Sequence, residues 1–292
     1  MNLFELIGNT PLVEINNINT NKNVKIYGKL EGQNPGGSVK DRAAYGMISM
    51  ALKRGDIKRG DKLVEATSGN TGIALAMIAQ AAGLEMTLIM PDNSTIERVQ
   101  TMKAYGAEVQ LTPAAKTIEY SRELAQDMAV NQGYYILNQF GNKDNYGAHY
   151  RTTGPEIWND TDGTVTHFVS AMGTTGTIMG VSRYLKEMNP KIQIVGTQPT
   201  EGSSIPGIRR WSPEFLPEIF EKHRVDITID VAEHDARIMA RRLASEEAIL
   251  SGMSSGGALT AALQVAETIE EGVIVFIVCD RGDRYLSSGL FE

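Results

Sequence analysis

The feature that most constrains this chain is an alternation, from one end to the other, of short apolar runs with longer stretches of helical period. VKIYGKL (24–30), KLVEA (62–66), MTLIMP (86–91), AEVQLT (107–112) and YYILNQF (134–140) read as strands, as do HFVSAM (167–172), QIVGTQ (193–198) and VIVFIVCD (273–280). Between them, 38–55, 71–82, 96–106, 236–248 and 256–269 read as helices, and another runs from a GTTGT stretch to about Met188. Strands alternating with helices build βαβ units with mostly parallel, twisted sheets. A length of 292 residues accommodates roughly two such units. The expected fold class is therefore α/β, with two α/β domains. Ligands in such folds sit beyond the carboxyl ends of strands, so 67–71, 173–177 and 280–285 are the loops to read for chemistry.

Composition removes several function classes. The formal net charge of −7 argues against a nucleic-acid partner, which needs a basic footprint, but is compatible with a local pocket for a small anion. The single cysteine, Cys279, rules out an internal disulfide and any cysteine metal framework. His149, His167, His223 and His234 show no metal-ligand spacing, so no metal is expected. MNLFELIGNTPLVEI lacks the pattern of a signal peptide, and no window approaches a membrane span of about 18 apolar residues. The expectation is a soluble cytoplasmic protein with no membrane partner.

Residues 34–42, NPGGSVKDR, place Lys40 at a predicted helix start, with Ser38 as N-cap and Asp41 at capping-box spacing. A helix start is electropositive and a poor place for a cation. An ordinary solvated lysine is the plain reading. The sharper one is a Schiff-base lysine, whose amine must be neutral to attack a carbonyl and whose pKa falls with desolvation or nearby positive charge. Gly36-Gly37 lets backbone approach a ligand. The spacing fails the P-loop pattern, which needs lysine directly after glycine.

Three loops accompany the lysine. ATSGNTG (66–72) offers Thr67, Ser68, Asn70, Thr71 and backbone N–H groups, a cradle for a carboxylate or simply a polar turn. GTTGT (173–177) supplies Gly173, Thr174, Thr175, Gly176 and Thr177 at a helix start, suited to a phosphate. Its glycines do not match the dinucleotide fingerprint. GMSSGG (252–257) contains a GxSxG match at Ser254, but no histidine follows it in the chain, which weakens a serine hydrolase. A lysine for an aldehyde, a loop for a phosphate and a serine for a ring nitrogen together fit pyridoxal 5'-phosphate.

NPGGSVKDRAA, EATSGNTGIALA, MPDNSTIERVQTMKAYGAE, SAMGTTGT, EGSSIPGIRRW, GMSSGGA and CDRGDRYLSSG resemble the cysteine synthases (O-acetylserine sulfhydrylases), most closely their B form, within the β-family (fold type II) of pyridoxal-phosphate enzymes. The resemblance runs almost end to end. It implies a tryptophan-synthase-β-like fold, with a smaller domain at 36–143 carrying the substrate-carboxylate loop and a larger one at 1–35 plus 144–292 carrying the phosphate loop. It also implies a homodimer. Lys40 would carry the cofactor as a Schiff base and shuttle the α-proton; Asn70 would contact the ring hydroxyl; Gly173 to Thr177 would hold the phosphate; Ser254 would face the pyridine nitrogen. Thr67, Ser68, Asn70, Thr71 and Gln139 would bind the substrate carboxylate. The implied reaction makes L-cysteine from O-acetyl-L-serine and sulfide by β-replacement through an aminoacrylate. Likeness to the B form implies thiosulfate as a second donor, giving S-sulfocysteine, with Arg210 a candidate to receive the anion. An O-phosphoserine-dependent synthase, another β-family lyase or dehydratase, and a non-catalytic protein retaining the fold are the alternatives.

Overall fold

The computed structural model describes residues 2–67 and 69–292. Two sheets organise it, the smaller parallel and the larger parallel but for one edge pair. The smaller has the order β3-β4-β5, formed by Lys62–Ala66, Glu85–Pro91 and Glu108–Thr112. The larger has the order β1-β2-β9-β6-β7-β8. Its strands are Leu12–Glu14, Val24–Leu30, Gly272–Val278, His167–Ala171, Gln193–Pro199 and Ile227–Val231, in that spatial order, and only the β1–β2 pair is antiparallel. The mixed α/β class with parallel sheets is as the alternation implied.

The central strands β4, β6 and β9 are apolar because both faces of each sheet are covered there, whereas the edge strands β1, β5 and β8 are partly exposed. Along β9, Ile274, Phe276 and Val278 enter one core, while Val275 and Ile277 enter the core on the opposite face. Helices α8 (Glu233–Glu247) and α9 (Met253–Thr268) pack on the first face, and α7 (Gly176–Met188) on the second. In the smaller sheet, Leu88 and Met90 of β4 join a core with α1 (Lys40–Arg54) and α2 (Asn70–Ala82), and Ile89 faces α4 (Thr117–Gln132). The remaining helices are α3 (Ile96–Ala104), α5 (Lys143–Arg151) and α6 (Thr153–Asp160). Among the described residues no helix is long and apolar enough to cross a membrane.

Two local expectations are corrected. Residues 134–140 form no strand: Tyr135 makes a single bridge to Leu63, and Asn138 then turns into the left-handed region at φ 54°. Nor does the first helix begin at Ser38 with a capping box. It begins at Lys40, because the Asp41 carboxylate takes the Gly36 N–H at 2.5 Å while the Ser38 backbone bridges to Asp280.

Candidate active site

A cavity of about 1020 Å³ opens at the carboxyl ends of the strands, between the two sheets. Lys40, Thr67, Asn70, Thr71, Gln139 and Arg210 all line it, as do Gly173, Thr174 and Ser254 from the larger sheet's side. Of the expected site residues, Ser68 lies outside the described residues.

Lys40 stands on a turn zipped to the chain that leaves β9. Val39 N–H donates to the Cys279 carbonyl at 2.8 Å, and Arg281 N–H to the Gly37 carbonyl at 3.3 Å. Both glycines of the turn are sterically required. A Cβ on Gly36 would lie 2.6 Å from the Asp41 carboxylate, and one on Gly37 (φ 80°) would strike the Arg284 guanidinium. Among the described residues, none accepts a hydrogen bond or ion pair from Lys40 Nζ. Burial pushes its pKa down from the ordinary lysine value, opposed by Cys279, Asp280 and Glu31. Desolvation therefore favours a neutral amine here.

The 173–177 loop is built for close backbone approach. Thr175 is the N-cap of α7 in the left-handed region at φ 69°, and its buried hydroxyl has no partner. A Cβ on Gly176 would overlap the Asn145 carboxamide, and one on Gly173 would lie 2.5 Å from the Gly207 carbonyl. Behind the loop, the Thr177 hydroxyl meets His149 Nε2 at 3.3 Å, and His149 Nδ1 meets Thr153 at 2.8 Å. Burial, with Arg42 nearby, pushes the His149 pKa down to about 3, so the imidazole is neutral at physiological pH. Thr174 and Thr175 sit where an anion at the N-terminus of α7 would be met by backbone N–H groups.

At the start of α2, Thr71 donates its hydroxyl to Gln139 Oε1 at 2.9 Å, joining two of the expected carboxylate-binding residues. Asn70 Nδ2 donates to Asp280 at 2.6 Å, and Asn70 Oδ1 accepts from Arg284 at 2.6 Å. Ser254 lies in the first turn of α9, nearly buried, with the Cys279 thiol beside it.

Arg98, Arg122, Arg209 and Arg210 line the cavity, interspersed with Glu119, Glu201 and Glu218. Arg210 is engaged: it donates to the Pro199 carbonyl at 2.9 Å and to Asp230. Arg209 lies over Trp211, its pKa lowered by burial and by neighbouring Arg122. Trp211 in turn donates to the Gly173 carbonyl at 2.9 Å, laying this segment against the 173–177 loop.

Sequence reasoning did not single out Asp280, Arg284, Arg98 or His149. The first two were within reach, since CDRGDRY follows a strand end in the zone where ligands bind. His149 and Arg98 sit on helices with no local signal. The donor set suits a phosphorylated aldehyde bearing a ring nitrogen: an unpartnered buried hydroxyl at a helix start, a desolvated amine, and a nearly buried neutral serine.

Residues 3–280 match the family described as "Pyridoxal-phosphate dependent enzyme". The chain is 56% identical to cysteine synthase B of Pseudomonas aeruginosa, over 99% of this chain and 96% of that one. It is 55% identical to cysteine synthase B of Escherichia coli, over 99% and 95%. The crystal structure of cysteine synthase (OASS) from Entamoeba histolytica superposes with a TM-score of 0.93 at 41% identity, covering 99% of this chain and 90% of that one.

Proposed function

The chain belongs to the pyridoxal-phosphate dependent enzymes and, among them, to the cysteine synthases, and from that premise we propose how its cavity works. The enzyme makes L-cysteine from O-acetyl-L-serine and sulfide. The observation that carries the site assignment is the convergence of Lys40, Asn70, Gly173, Thr174 and Ser254 on one cavity, with Thr175, Gly176 and Thr177 continuing the loop behind its lining.

Pyridoxal phosphate, when bound, supplies the carbonyl that joins an amine and the electron sink that lets the Cα–H and Cβ–O bonds of the amino acid break. Lys40 would attach it, and Gly173, Thr174, Thr175, Gly176 and Thr177 would hold its phosphate, with Thr177 kept in place by neutral His149. Asn70 would meet the ring hydroxyl and Ser254 the ring nitrogen. A serine is a neutral partner, so it does not enforce a protonated ring, which favours prompt loss of the acetate over a long-lived carbanion. Thr67, Ser68, Asn70, Thr71 and Gln139 would hold the substrate carboxylate, with the Thr71–Gln139 bond pre-setting both side chains. Lys40 Nζ would take the Cα proton and return it after sulfur adds. Its burial supports this role, because a base must be neutral to accept that proton.

Thiosulfate is the proposed second donor, giving S-sulfocysteine. The arginines of the cavity lining support it, and Arg210 keeps N–H groups beyond those given to Pro199 and Asp230. The division into a 36–143 domain and a 1–35 plus 144–292 domain, a homodimer and a cytoplasmic location complete the proposal. Light scattering of the purified protein tests the dimer.

The test of function is product analysis with each donor in turn. L-cysteine from O-acetylserine and sulfide, lost in Lys40→Ala, is the expected result. Turnover of O-phosphoserine in preference to O-acetylserine would instead assign the arginines of the cavity lining to a phosphate leaving group.

A further inference from the structure

Arg284 is 8% exposed, yet it has no ion-pair partner among the described residues. Its Nη1 donates to Asn70 Oδ1 at 2.6 Å, its Nη2 donates to the Gly36 carbonyl at 2.9 Å, and its buried Nε has no acceptor. A buried guanidinium whose hydrogen bonds go only to neutral oxygens is a costly fastener, since it loses its hydration with no ion pair in contact and only the nearby Asp41 carboxyl to attract it. The chain accommodates it by leaving Gly37 without a side chain, because a Cβ there would overlap the guanidinium.

The same carboxamide is gripped from its other end. Asn70 Nδ2 donates to Asp280 Oδ2 at 2.6 Å. Asp280 is 1% exposed and is itself fixed, accepting from the Tyr285 hydroxyl at 2.5 Å and from the Gly252 N–H at 3.2 Å. An arginine only donates and a carboxylate only accepts, so the amide has one permitted orientation. Of the two Nδ2 hydrogens, Asp280 takes one, and no described residue accepts the other. Asn70 lines the cavity, and Gly36 lies four residues before Lys40.

We propose that Arg284 is a positioning residue for the cofactor: with Asp280 opposite, it locks the Asn70 carboxamide so that one N–H is left for the cofactor ring oxygen, and it ties that N–H to the turn bearing Lys40. The proposal rests on the pyridoxal-phosphate reading of the site. Without Arg284 the carboxamide oxygen loses its donor, Asp280 alone is left to orient the amide, and the lysine turn loses its tether to α2.

The test uses the holoenzyme reconstituted with pyridoxal phosphate and reads cofactor affinity and the pH titration of the cofactor's visible band. Arg284→Gln is expected to weaken cofactor binding roughly tenfold and to move the titration midpoint, with far-UV circular dichroism unchanged. Asn70→Ala is expected to move the midpoint as well, and Arg284→Gln added to Asn70→Ala is expected to move it no further, because Arg284 acts through Asn70. Arg284→Lys, which still donates to the same oxygens, recovers part of the effect and carries the same test should the glutamine variant not fold. An unchanged titration in both Arg284 variants, or additive shifts in the double variant, overturns the positioning role alone. A parent chain that takes up no pyridoxal phosphate overturns the cofactor reading, and this proposal with it.

Discussion

Arg42 grips Glu31 through two hydrogen bonds of 2.7 Å, from Nε and Nη2 to the two carboxylate oxygens, with both side chains buried. The same guanidinium reaches Glu156 at 2.6 and 2.7 Å, so the first turn of α1, two residues past Lys40, is bolted to the larger sheet's side of the molecule. Burial pushes Glu31 up, but Arg42 and Thr10 outweigh it and hold its carboxyl below the ordinary range. For Glu156, burial again opposes, and Arg42 and Lys29 hold it down to about 2. Removing one partner strands a buried charge. Arg42→Met should lower unfolding stability by about 3–5 kcal/mol, read as a fall in the urea midpoint. Both carboxyls are depressed on folding, so their contribution is full above the unfolded value of 4.5 and is lost as pH falls toward about 2.

Glu65 has the opposite sign. Burial pushes it up to about 7, against the Asn138 N–H and Arg122, and one carboxylate oxygen has no partner. A group raised on folding favours the folded state below its unfolded value, and that favour is lost as pH rises through the folded value. Stability should therefore decline between about 4.5 and about 7. Glu65→Gln should flatten that decline and raise stability at pH 8 by on the order of 2 kcal/mol. Asp41, also raised to about 7 by burial, keeps part of the slope. Thermal melts across this range check it.

Cys279 is the one cysteine, and burial pushes its thiol up to about 11, with Asp280 adding to the shift and Lys40 opposing it. The thiolate is the reactive form, so alkylation by iodoacetamide at pH 8 should run roughly a hundredfold slower than for free cysteine. Pseudo-first-order rates by mass spectrometry decide this; a rate like that of glutathione would contradict the raised thiol pKa.

Arg210 is tied to Asp230 and to the Pro199 carbonyl at the rim of the cavity. If it receives the anionic donor, Arg210→Ala should lose thiosulfate use by about tenfold or more while sulfide use stays within about twofold. Equal losses with both donors would mean that the residue merely shapes the rim.

Much of this was legible in the sequence because strand faces and helix caps are local. The run VIVFIV marks β9 as buried on both faces, and Gly83 closes α2 at φ 72°, as its position after the apolar run implies. Helices α4 to α6 and strands β1 and β8 were not legible. β8 is an edge strand, largely exposed, and α4 buries only Ser121 and Ala125, so neither leaves a strong apolar pattern. YYILNQF has the composition of a strand, but pairing stops after Tyr135 and the backbone turns left-handed at Asn138, which brings Gln139 to the cavity. Lys40, the 173–177 loop and Ser254 stood out because each carries its chemistry in a few adjacent residues. The Asp280–Asn70–Arg284 clamp joins positions more than 200 apart, 210 and 214 along the chain, and no spacing rule reaches that far.

The most direct measurement is the visible absorbance of the protein reconstituted with pyridoxal phosphate, recorded before and after O-acetylserine and again after sulfide. The account predicts a band that depends on Lys40, shifts on adding O-acetylserine and returns on adding sulfide. A band that O-acetylserine leaves unmoved would contradict the assigned substrate, and a chain that gains no band, or gains the same band as Lys40→Ala, would contradict the role of Lys40.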